Sequence, residues 1–561
     1  MTTIIKDKNG APDLSEFRRR YPLTVAQFGS LGNREKWLRG IWQEEVRWHE
    51  EMGRDGAREV IVKGAPPARL PIEAEFDVIY AGGSLGLLHA AVMAACYKRR
   101  VMVFDEGEAG RTGRGWNISD EDLRELERAG LFTKEEIEAA VNNRYRSGFV
   151  KFHDVASRVK SPRLWMDGVL DVSVDADVLL GKAKRKIEDG DTGSLALDLY
   201  RFVRCYVQPA RVTVELEDVR TGEHKFFAAR LFVDASGAGS RVLRQLNGVR
   251  AVTHVSPMVG TVARGFVRGV EADAADFNVG EILVSNEDAS AHRQLIWEAL
   301  AQKLARDEYA TYLFFYDAVD SLADKSLLAL FERYFEKLPA YKRTGAQWRV
   351  LRPVFGYVEG FQPSRGWNQR GRGTEMRVMA VGDAGNANSP LAFNNFGAHV
   401  RGLNRQTHLT DLALEADMLD AASLAEVCAY APRVAQGARL AEFLRPTPKS
   451  APSAVNETLN AVMMALHALD ERVRRELFLD RLSLSAFKKL LGHTAKLYPR
   501  IFSRVREHLG TRGTFWWLAE IADAAFRERA ARAFNGGQIE ADESPAQKFA
   551  RNARALQKTE Q

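Results

Sequence analysis

One stretch of the chain, from Phe76 to Asp105, restricts the possible folds more than any other. It reads FDVIYAGGSLGLLHAAVMAACYKRRVMVFD. An apolar run that ends at Tyr80 is followed at once by small residues and glycines, then by a helical pattern, and a second apolar run ends on Asp105. This order predicts a strand, a tight turn, a helix and a second, parallel strand, with the glycine pattern of a dinucleotide-binding turn. The predicted fold class is therefore α/β, with a Rossmann-like domain.

The turn supplies the first group of candidate binding residues, namely Ala81, Gly82, Gly83, Ser84 and Gly86. Gly83 and Gly86 would let the backbone and the new helix approach a pyrophosphate at the helix N-terminus. Asp105 would accept from a ribose hydroxyl, and Glu106 follows it. Ala81 stands where the motif has its first glycine, which is compatible with the turn only if its φ is negative. The alternative is a glycine-rich turn without a ligand.

Composition excludes several classes of protein. The chain has 561 residues, 45% of them hydrophobic, which suffices for a large core in several subdomains. Three widely spaced cysteines argue against a disulfide framework or a metal site and favour a reducing compartment. The N-terminus lacks the apolar core of a secretory signal, and no apolar run reaches the length of about 18 residues that a membrane span needs. We therefore expect a cytoplasmic protein. Its net charge of +6 reflects either an arginine-rich solvated surface or attraction to an anionic membrane.

Two later stretches repeat the pattern of a buried strand followed by glycine. Leu231 to Gly237 includes Asp234, and residues 377–384 end in Gly382 and Asp383 before a helix that starts near residue 397. A carboxylate just before a helix N-terminus can bind a ribityl hydroxyl, and the helix dipole can face a flavin ring. Following the first motif in this order, the two stretches predict an FAD site. The third stretch also contributes Pro390, Asn394, Asn395, Phe396 and Gly397 to that predicted site.

The loop after the first motif carries two arginines, Arg111 and Arg114, ahead of Trp116 and Asn117. The arginines would either contact the cofactor phosphates or lie in solvent. Farther along, residues 257–263 and 311–316 read as strands of an inserted antiparallel sheet. Its aromatic face would either roof an apolar cavity or belong to an ordinary core.

The chain is predicted to divide into five parts. These are an N-terminal helical extension (1–70), a discontinuous FAD-binding domain (71–250 and 366–410), a β-rich substrate-binding domain (251–365), a C-terminal helical region (411–535) and a disordered tail (536–561). Near the end of the helical region, Phe515, Trp516 and Trp517 lie among arginines. They belong either to a helix that touches lipid or to one that packs on its own domain.

These residues, in this order, resemble the flavoproteins with the FAD fold of p-hydroxybenzoate hydroxylase. Within that class the chain is similar to the CruA/CruP-type lycopene cyclases of bacteria. The likeness rests on the stretches DVIYAGGSLGLLHAAVMA, GRTGRGWNISDEDLRELERAGLFTKEE, TYLFFYD and VGDAGNANSPLAFNNFGAHVRGL. The loop around Trp116 is the most specific of them. Two departures stand out, because Gly115 replaces an acidic residue of the family and Asn394-Asn395 replace a glycine pair.

The resemblance implies a non-redox cyclisation of a linear carotene end group that depends on reduced FAD, with NAD(P)H as a possible reductant. An acid would protonate a terminal double bond, and aromatic faces such as Trp116, next to Asn117, would stabilise the resulting cation. Glu359 is the candidate acid. The apolar substrate of such a cyclase implies peripheral contact of the protein with the inner face of a membrane. No nucleic-acid partner is expected. Two alternatives remain: an FAD-dependent monooxygenase or halogenase-like enzyme that uses NAD(P)H and O2 on an apolar substrate, and a non-catalytic flavin-binding partner of carotenoids.

Overall fold

The structure is a computed structural model that describes residues 14–53, 59–67, 71–113, 115–237, 239–247, 253–303, 306–360, 374–385, 395–428, 440–479, 481–533 and 543–559. Within these ranges the strands form two sheets of eight strands and one sheet of three. Strands and helices are numbered in chain order.

The first sheet has a parallel centre and an antiparallel flank. Its strands are β1 (Ile61–Lys63), β2 (Ile72–Ala81), β3 (Val101–Asp105), β9 (Leu195–Asp198), β10 (Tyr200–Val207), β11 (Val212–Asp218), β12 (His224–Asp234) and β19 (Val378–Ala380). β9, β3, β2, β12 and β19 lie side by side and parallel in that order. β12 also pairs antiparallel with β11, and β11 with β10. The three glycine-terminated stretches of the sequence are thus brought to one edge of one sheet, at the carboxyl ends of β2, β12 and β19.

The described helices are α1 (Leu14–Arg20), α2 (Pro22–Gln27), α3 (Arg34–Gly53), α4 (Leu85–Ala95), α5 (Asp120–Leu123), α6 (Glu125–Arg128), α7 (Lys134–Glu138), α8 (Ala176–Glu188), α9 (Arg241–Asn247), α10 (Leu327–Tyr341), α11 (Asn395–Glu415), α12 (Ala421–Val427), α13 (Ala454–His467), α14 (Glu471–Phe478), α15 (Leu484–Leu497), α16 (Ile501–Ala533) and α17 (Pro545–Thr559). α16 comprises two helical segments that join at Gly510, whose φ is 66°. None of the helices described is long and apolar enough to cross a bilayer.

Both faces of the first sheet are buried. Val78 and Val103 pack with α4, α8 and α11, whereas Ile79 and Met102, their neighbours along the strands, pack on the side of the antiparallel flank. Successive residues of a strand point to opposite faces, so a strand covered on both sides reads as an unbroken apolar run. This explains why β2 and β3 are recognisable in the sequence.

The second sheet consists of β6 (Ser147–Lys151), β7 (Leu164–Met166), β13 (His254–Phe266), β14 (Val279–Val284), β15 (Ile296–Ala301), β16 (Tyr309–Phe314), β17 (Asp317–Ala318) and β18 (Thr344–Gly360). Across the sheet the order is β18, β13, β16, β15, β14, β6 and β7, and β17 pairs with the start of β13. The two strands expected at 257–263 and 311–316 pair antiparallel as β13 and β16. β6 and β7 come from the range predicted for the FAD-binding domain.

One face of the second sheet is covered by α10. The hydroxyls of Thr261 and Thr311 lie 2.7 and 2.6 Å from that of Tyr334 on this helix. The N-terminal helices pack outside α10, where the rings of Phe28 and Phe331 meet edge to face with centroids 5.4 Å apart. The extension therefore belongs to the same packed body as the second sheet.

A small third sheet, β4 (Gly115–Ile118), β8 (Val172–Asp175) and β5 (Val141–Arg144), lies between the two large ones. It is tied to the second sheet by the ammonium of Lys303, 2.6 Å from the carboxylate of Asp175. The residues that follow β4 are tied to α11 by the buried carboxylate of Asp122, 2.7 Å from Arg401. These contacts fix the position of the Trp116 loop.

The prediction of a disordered tail is wrong for residues 543–559. They include α17, which packs against α11 and buries Phe549 and Ala553. The segment is rich in charge, but its few apolar residues recur at helical spacing, and burial of that narrow stripe holds the helix on the first core.

Candidate active site

The turn between β2 and α4 has no room for side chains. A Cβ on Gly82 would lie 2.3 Å from the carbonyl oxygen of Ala235, one on Gly83 2.6 Å from the Cα of Ala109, and one on Gly86 2.5 Å from the Cβ of Ala235. Heavy atoms that are not bonded do not approach one another so closely, so a larger residue at any of these positions would push the loops apart. The glycines allow two loops to close around the start of α4.

The N-terminus of α4 is open to a ligand. Ser84 is its N-cap residue, but the serine side chain makes no capping hydrogen bond, and the first turn carries no acidic residue. Uncapped N–H groups and the helix dipole together form an anion-binding site. Ala81 is the last residue of β2 and has an extended backbone, so the alanine in place of the first glycine is accommodated, while Gly82 takes the positive φ of 113°.

Asp105 lies beside this turn at the end of β3. Its carboxylate accepts hydrogen bonds from the N–H groups of Gly83 at 2.7 Å and Gly107 at 2.8 Å. A carboxylate has about four acceptor positions, so two remain for the hydroxyls of a ribose. The next residue, Glu106, is directed elsewhere, because its carboxylate pairs with Arg201 at 2.9 Å on the surface.

The loop that follows is organised by a carboxylate. Asp177 accepts hydrogen bonds from the N–H groups of Thr112 at 2.8 Å and Gly113 at 3.0 Å. Arg111 is exposed and pairs with Glu108 at 3.2 Å. Arg114 lies outside the described residues. A phosphate contact for either arginine stays a prediction.

Asp234 is fully buried at the end of β12 and holds its own turn. Its carboxylate accepts hydrogen bonds from the hydroxyls of Ser236, at 2.6 Å, and Ser240. Burial raises the pKa of Asp234, and the serine hydrogen bonds oppose that rise without cancelling it. Gly237 has a positive φ of 89°, which lets the chain reverse next to the first glycine turn.

The third stretch approaches the same edge of the sheet. Gly382, with a φ of 62°, opens a short 3-10 turn, Gly382–Gly385, directly after β19. α11 then begins at Asn395, and Phe396 and Gly397 in its first turn are buried. The side chains of Asp383 and Asn395, and the whole of Pro390 and Asn394, lie outside the described residues.

Trp116 packs on the start of α11. Its ring and that of Phe396 have centroids 4.5 Å apart, and both are part of the first core or border it. Asn117, the next residue of β4, lies 3.5 Å from the hydroxyl of Tyr145. The sequence-predicted residues of the Trp116 loop and of the third stretch are therefore in contact.

Two buried histidines lie beneath the glycine turn. The hydroxyl of Tyr80 on β2 is 2.8 Å from Nδ1 of His89 on α4, and His399 of α11 is close enough to influence its charge. Burial lowers the pKa of His89 to about 3 and that of His399 to about 4. Both imidazoles are thus neutral at physiological pH and leave the anion site to the helix N-terminus.

Glu359, the candidate acid from the sequence, lies near the end of β18, paired with Val255 of β13. Its side chain lies outside the described residues. Its backbone position puts it near the end of the second sheet where β13 begins, and its catalytic role stays a prediction.

The face of the second sheet opposite α10 is largely apolar. Alternate residues of four neighbouring strands lie on it, among them Met258 and Val262 of β13, Ala310, Tyr312 and Phe314 of β16, Ile296, Glu298 and Leu300 of β15, and Val354 of β18. At one end the face becomes charged, with Arg352 of β18 and the ion pair of Arg264 with Glu308. Gln302 follows on the same side, and its amide fills the space that a side chain at Gly115 would take, with Oε1 2.0 Å from a Cβ built there. This face is therefore the one that meets the Trp116 loop.

Glu298 is the exception on this apolar face. It stands across from Tyr312 in the strand pair and is partly exposed, although burial raises the pKa of its carboxyl to about 8. Among the residues that the structure describes, no cation or hydrogen-bond donor contacts that carboxyl. The carboxyl is therefore partly exposed but poorly hydrated, so its charged form is disfavoured.

Glu298 is not among the site residues predicted from the sequence. A signal was present, because the run Leu295 to Ala301 reads LIWEALA and contains a single charged residue within an otherwise apolar strand. A charged residue is rarely buried without a partner unless it has a function.

The residues at the carboxyl edge of the first sheet fit a flavin dinucleotide. The glycine turn is a cradle that a Cβ would fill, the start of α4 offers uncapped N–H groups, and Asp105 retains acceptor capacity at the ribose position. The cradle, Asp105 and the start of α4 would hold the adenosine and pyrophosphate part of FAD.

No protein-family model matches the chain, and no curated protein sequence matches it. Solved structures do. The geranylgeranyl bacteriochlorophyll reductase-like protein of Thermoplasma acidophilum has a TM-score of 0.55 at 13% identity, over 77% of this chain and 99% of its own. Halogenase PltM in complex with phloroglucinol and FAD has a TM-score of 0.54 at 13% identity, over 80% and 96%. The p-nitrophenol 4-monooxygenase PnpA of Pseudomonas putida has a TM-score of 0.50 at 14% identity, over 75% and 99%.

These similarities define the class of fold. The chain has the fold of FAD-dependent flavoproteins, with a Rossmann-like domain, an inserted sheet and additional helices, and this confirms the fold class predicted from the sequence. At identities of 13–14% the comparison concerns the fold alone.

Proposed function

We propose that this chain is an FAD-dependent enzyme that cyclises an end group of a linear, apolar polyene such as lycopene, without net oxidation. The observation that carries the proposal is the contact between Trp116 and Phe396, which places an aromatic pair at the start of α11 next to the apolar face of the second sheet. FAD would be held by the glycine cradle and Asp105, as its fit to those residues indicates.

The site suits a reaction in which positive charge develops on an apolar chain. Reduced FAD, when held by the glycine cradle and Asp105, would supply negative charge to the site. The ring of Trp116 contributes a cation–π interaction of about 0.5–2 kcal/mol. Met258, Val262 and Val354 exclude water from the sheet side and so strengthen both interactions.

The substrate class follows from the apolar face of the second sheet. A polyene has no polar groups to anchor, so its binding depends on apolar area, and the face opposite α10 offers mainly aliphatic and aromatic side chains. One of the similar structures is named for a geranylgeranyl compound, and a geranylgeranyl group is, like a carotene, an apolar isoprenoid chain.

A second candidate function is a monooxygenase or halogenase-like reaction that uses NAD(P)H and O2. The names of two similar structures favour it, since one is a 4-monooxygenase and the other a halogenase. A third, a non-catalytic flavin-binding partner of carotenoids, applies if Gly115 and Asn394-Asn395 have removed the cyclase chemistry.

The test is anaerobic incubation of the FAD-loaded protein, chemically reduced, with lycopene in detergent. We expect an isomer of unchanged mass that absorbs at shorter wavelength, because ring closure shortens the conjugated system. A product heavier by one oxygen, formed only with NADPH and O2, would contradict the cyclase and support the monooxygenase. Unchanged lycopene under both conditions would contradict both enzymes.

We further propose that α16 brings the protein to an anionic membrane surface, from which such a substrate could be taken. Phe515, Leu518 and Phe526 are 65%, 58% and 72% exposed and recur on one side of the helix. Arg512, three residues before Phe515 on the same helical segment, is exposed, and its charge complements anionic lipid. Trp517 points inward and packs on Phe487, which anchors the helix to the protein.

A further inference from the structure

We propose that Glu298 is the acid–base residue of this site, giving a proton to the substrate and later taking one back. The inference rests on the proposed function, because it names the acid that a cyclisation requires. Neither the sequence motifs nor the comparisons with similar structures point to this residue.

The position of Glu298 within the second sheet carries the proposal. It lies on β15, in one row with Tyr312 and Gly260, and this row is in the middle of the apolar face opposite α10. Gln302 follows β15 directly and lies four residues beyond Glu298 on the same side of the sheet. It contacts Gly115, which comes just before Trp116. The carboxyl therefore lies on the face that meets the flavin domain.

The lack of a partner separates Glu298 from other buried carboxylates of the second sheet and its surroundings. Glu281, on the opposite face, pairs with Lys342, and Glu442 lies 2.6 Å from both His254 and Arg445. Such pairing keeps a buried carboxylate ionised and satisfies its oxygen atoms with hydrogen bonds. Among the described residues Glu298 has no such partner, so a structural role does not account for its charge-bearing side chain in this apolar strand.

The surroundings keep Glu298 protonated at neutral pH. Desolvation is the cause of its raised pKa. On this face Tyr312 stands across from Glu298, while Arg352 of β18 and the ion pair of Arg264 with Glu308 lie one and two rows farther along the strands. Burial raises the pKa of Tyr145, whose hydroxyl donates to the backbone carbonyl of Ala301, and the nearby Glu298 adds a little to that rise.

The proposed step conserves atoms and electrons. The O–H bond of the Glu298 carboxyl breaks, and its proton forms a C–H bond with the electron pair of a terminal C=C bond, which leaves a carboxylate and a carbocation. The electron pair of a second C=C bond closes the ring and moves the cation. The carboxylate then removes a proton from the neighbouring carbon, whose C–H electrons become the new double bond. No oxidant or reductant is consumed.

The experiment compares the wild-type chain with Glu298→Gln, which keeps the shape but cannot donate a proton. The control is Glu336→Gln, on α10 at the other side of the same sheet and about half exposed. Infrared spectra of the purified proteins at neutral pH would show the carbonyl stretch of a protonated carboxylic acid. Activity assays would use lycopene and reduced FAD in D2O, with the product analysed by mass spectrometry.

We expect the difference spectrum of wild type minus Glu298→Gln to show a carboxylic acid band and that of wild type minus Glu336→Gln to show none, because other acids with raised pKa values, such as Asp234, contribute equally to all three spectra. Wild-type product should gain one deuterium for each ring closed, and Glu298→Gln should lose at least about 100-fold in turnover, the usual contribution of a general acid. FAD binding should be unchanged, and Glu298→Asp should recover part of the activity.

The proposal is overturned if the difference spectrum of wild type minus Glu298→Gln lacks the carboxylic acid band, or if Glu298→Gln turns lycopene over within about twofold of wild type. If the wild-type protein binds FAD but leaves lycopene unchanged, the proposed function fails. In that case the infrared difference spectrum still shows whether residue 298 is a neutral acid at pH 7.

Discussion

The backbone N–H of Gly83 donates a hydrogen bond of 2.7 Å to the carboxylate of Asp105. This contact joins the glycine turn after β2 to the acid at the end of β3, and it puts the two sequence signals of a dinucleotide site within one hydrogen bond of each other. The proposed site for the adenosine part of FAD would therefore be formed by the backbone fold of the chain itself.

Replacing Gly83 by alanine should abolish FAD binding. The new Cβ would lie 2.6 Å from the backbone of Ala109, which would have to move away from the cradle. FAD retained after gel filtration measures the effect. Gly181→Ala on α8 is the control, since a Cβ there meets nothing within 4 Å. The control should bind FAD normally and be more stable than wild type by up to about 1 kcal/mol. Equal loss of FAD in both variants would argue against a cradle at Gly83.

Asp105→Asn should weaken FAD binding by about 10- to 100-fold. The substitution removes charge-assisted hydrogen bonds to ribose hydroxyls, each of which contributes about 1.5–3 kcal/mol. Glu106→Gln is the matched control, because that carboxylate pairs with Arg201 on the surface. Fluorescence titration with FAD measures both affinities. An Asp105→Asn protein that binds as tightly as Glu106→Gln would show that Asp105 only shapes the loop.

Glu442→Gln should destabilise the protein by about 3 kcal/mol at pH 7. Burial alone would raise the pKa of Glu442, but His254 and Arg445 outweigh it and lower the pKa to about 2. A carboxylate with a depressed pKa stabilises the fold above its unfolded pKa of about 4.5, and this contribution is lost as the pH falls from there to about 2.

Urea denaturation at several pH values tests this prediction. The difference between wild type and Glu442→Gln should shrink below about pH 4.5. Glu336→Gln, which removes a surface pair with Arg333, should cost less than about 1 kcal/mol at every pH. A difference that does not change with pH would mean that Glu442 contributes by packing rather than by charge.

Phe515→Ser combined with Phe526→Ser should weaken binding to phosphatidylserine-containing vesicles at least about tenfold. Full burial of one phenylalanine is worth about 1.5–3 kcal/mol, and both rings are exposed in the protein. Val270→Ser, at an exposed apolar residue elsewhere, is the control. Vesicle sedimentation measures the partitioning. Binding that is equal in all three proteins, or absent from the wild type, would contradict the membrane proposal.

The elements of the first sheet could be predicted because their information is local. β2, β3 and β12 are buried on both faces, so each reads as an apolar run, and the glycines that follow β2 are required by contacts under 3 Å. The same reasoning located β13 and β16 but not β6, which pairs with the distant β14 and carries no turn signal linking them.

The chemistry of the site was less accessible to sequence reasoning. The isolation of Glu298 depends on which residues of three other strands share its face, and strand register is set by tertiary packing. The charge at Asp122 is likewise matched by Arg401 and Arg481, far away in the chain. Helix α17 was missed because a charged segment with a narrow apolar stripe forms a stable helix only when it has a partner to pack against.

Titration of the wild-type protein with FAD is the most direct test of the proposed FAD site. Tryptophan fluorescence is the signal, since Trp116 packs against Phe396 at the start of α11. We predict saturable binding of a single FAD per chain, with quenching of the tryptophan emission and a shifted flavin absorption spectrum. Absence of saturable binding, or binding that Gly83→Ala leaves unchanged, would contradict it.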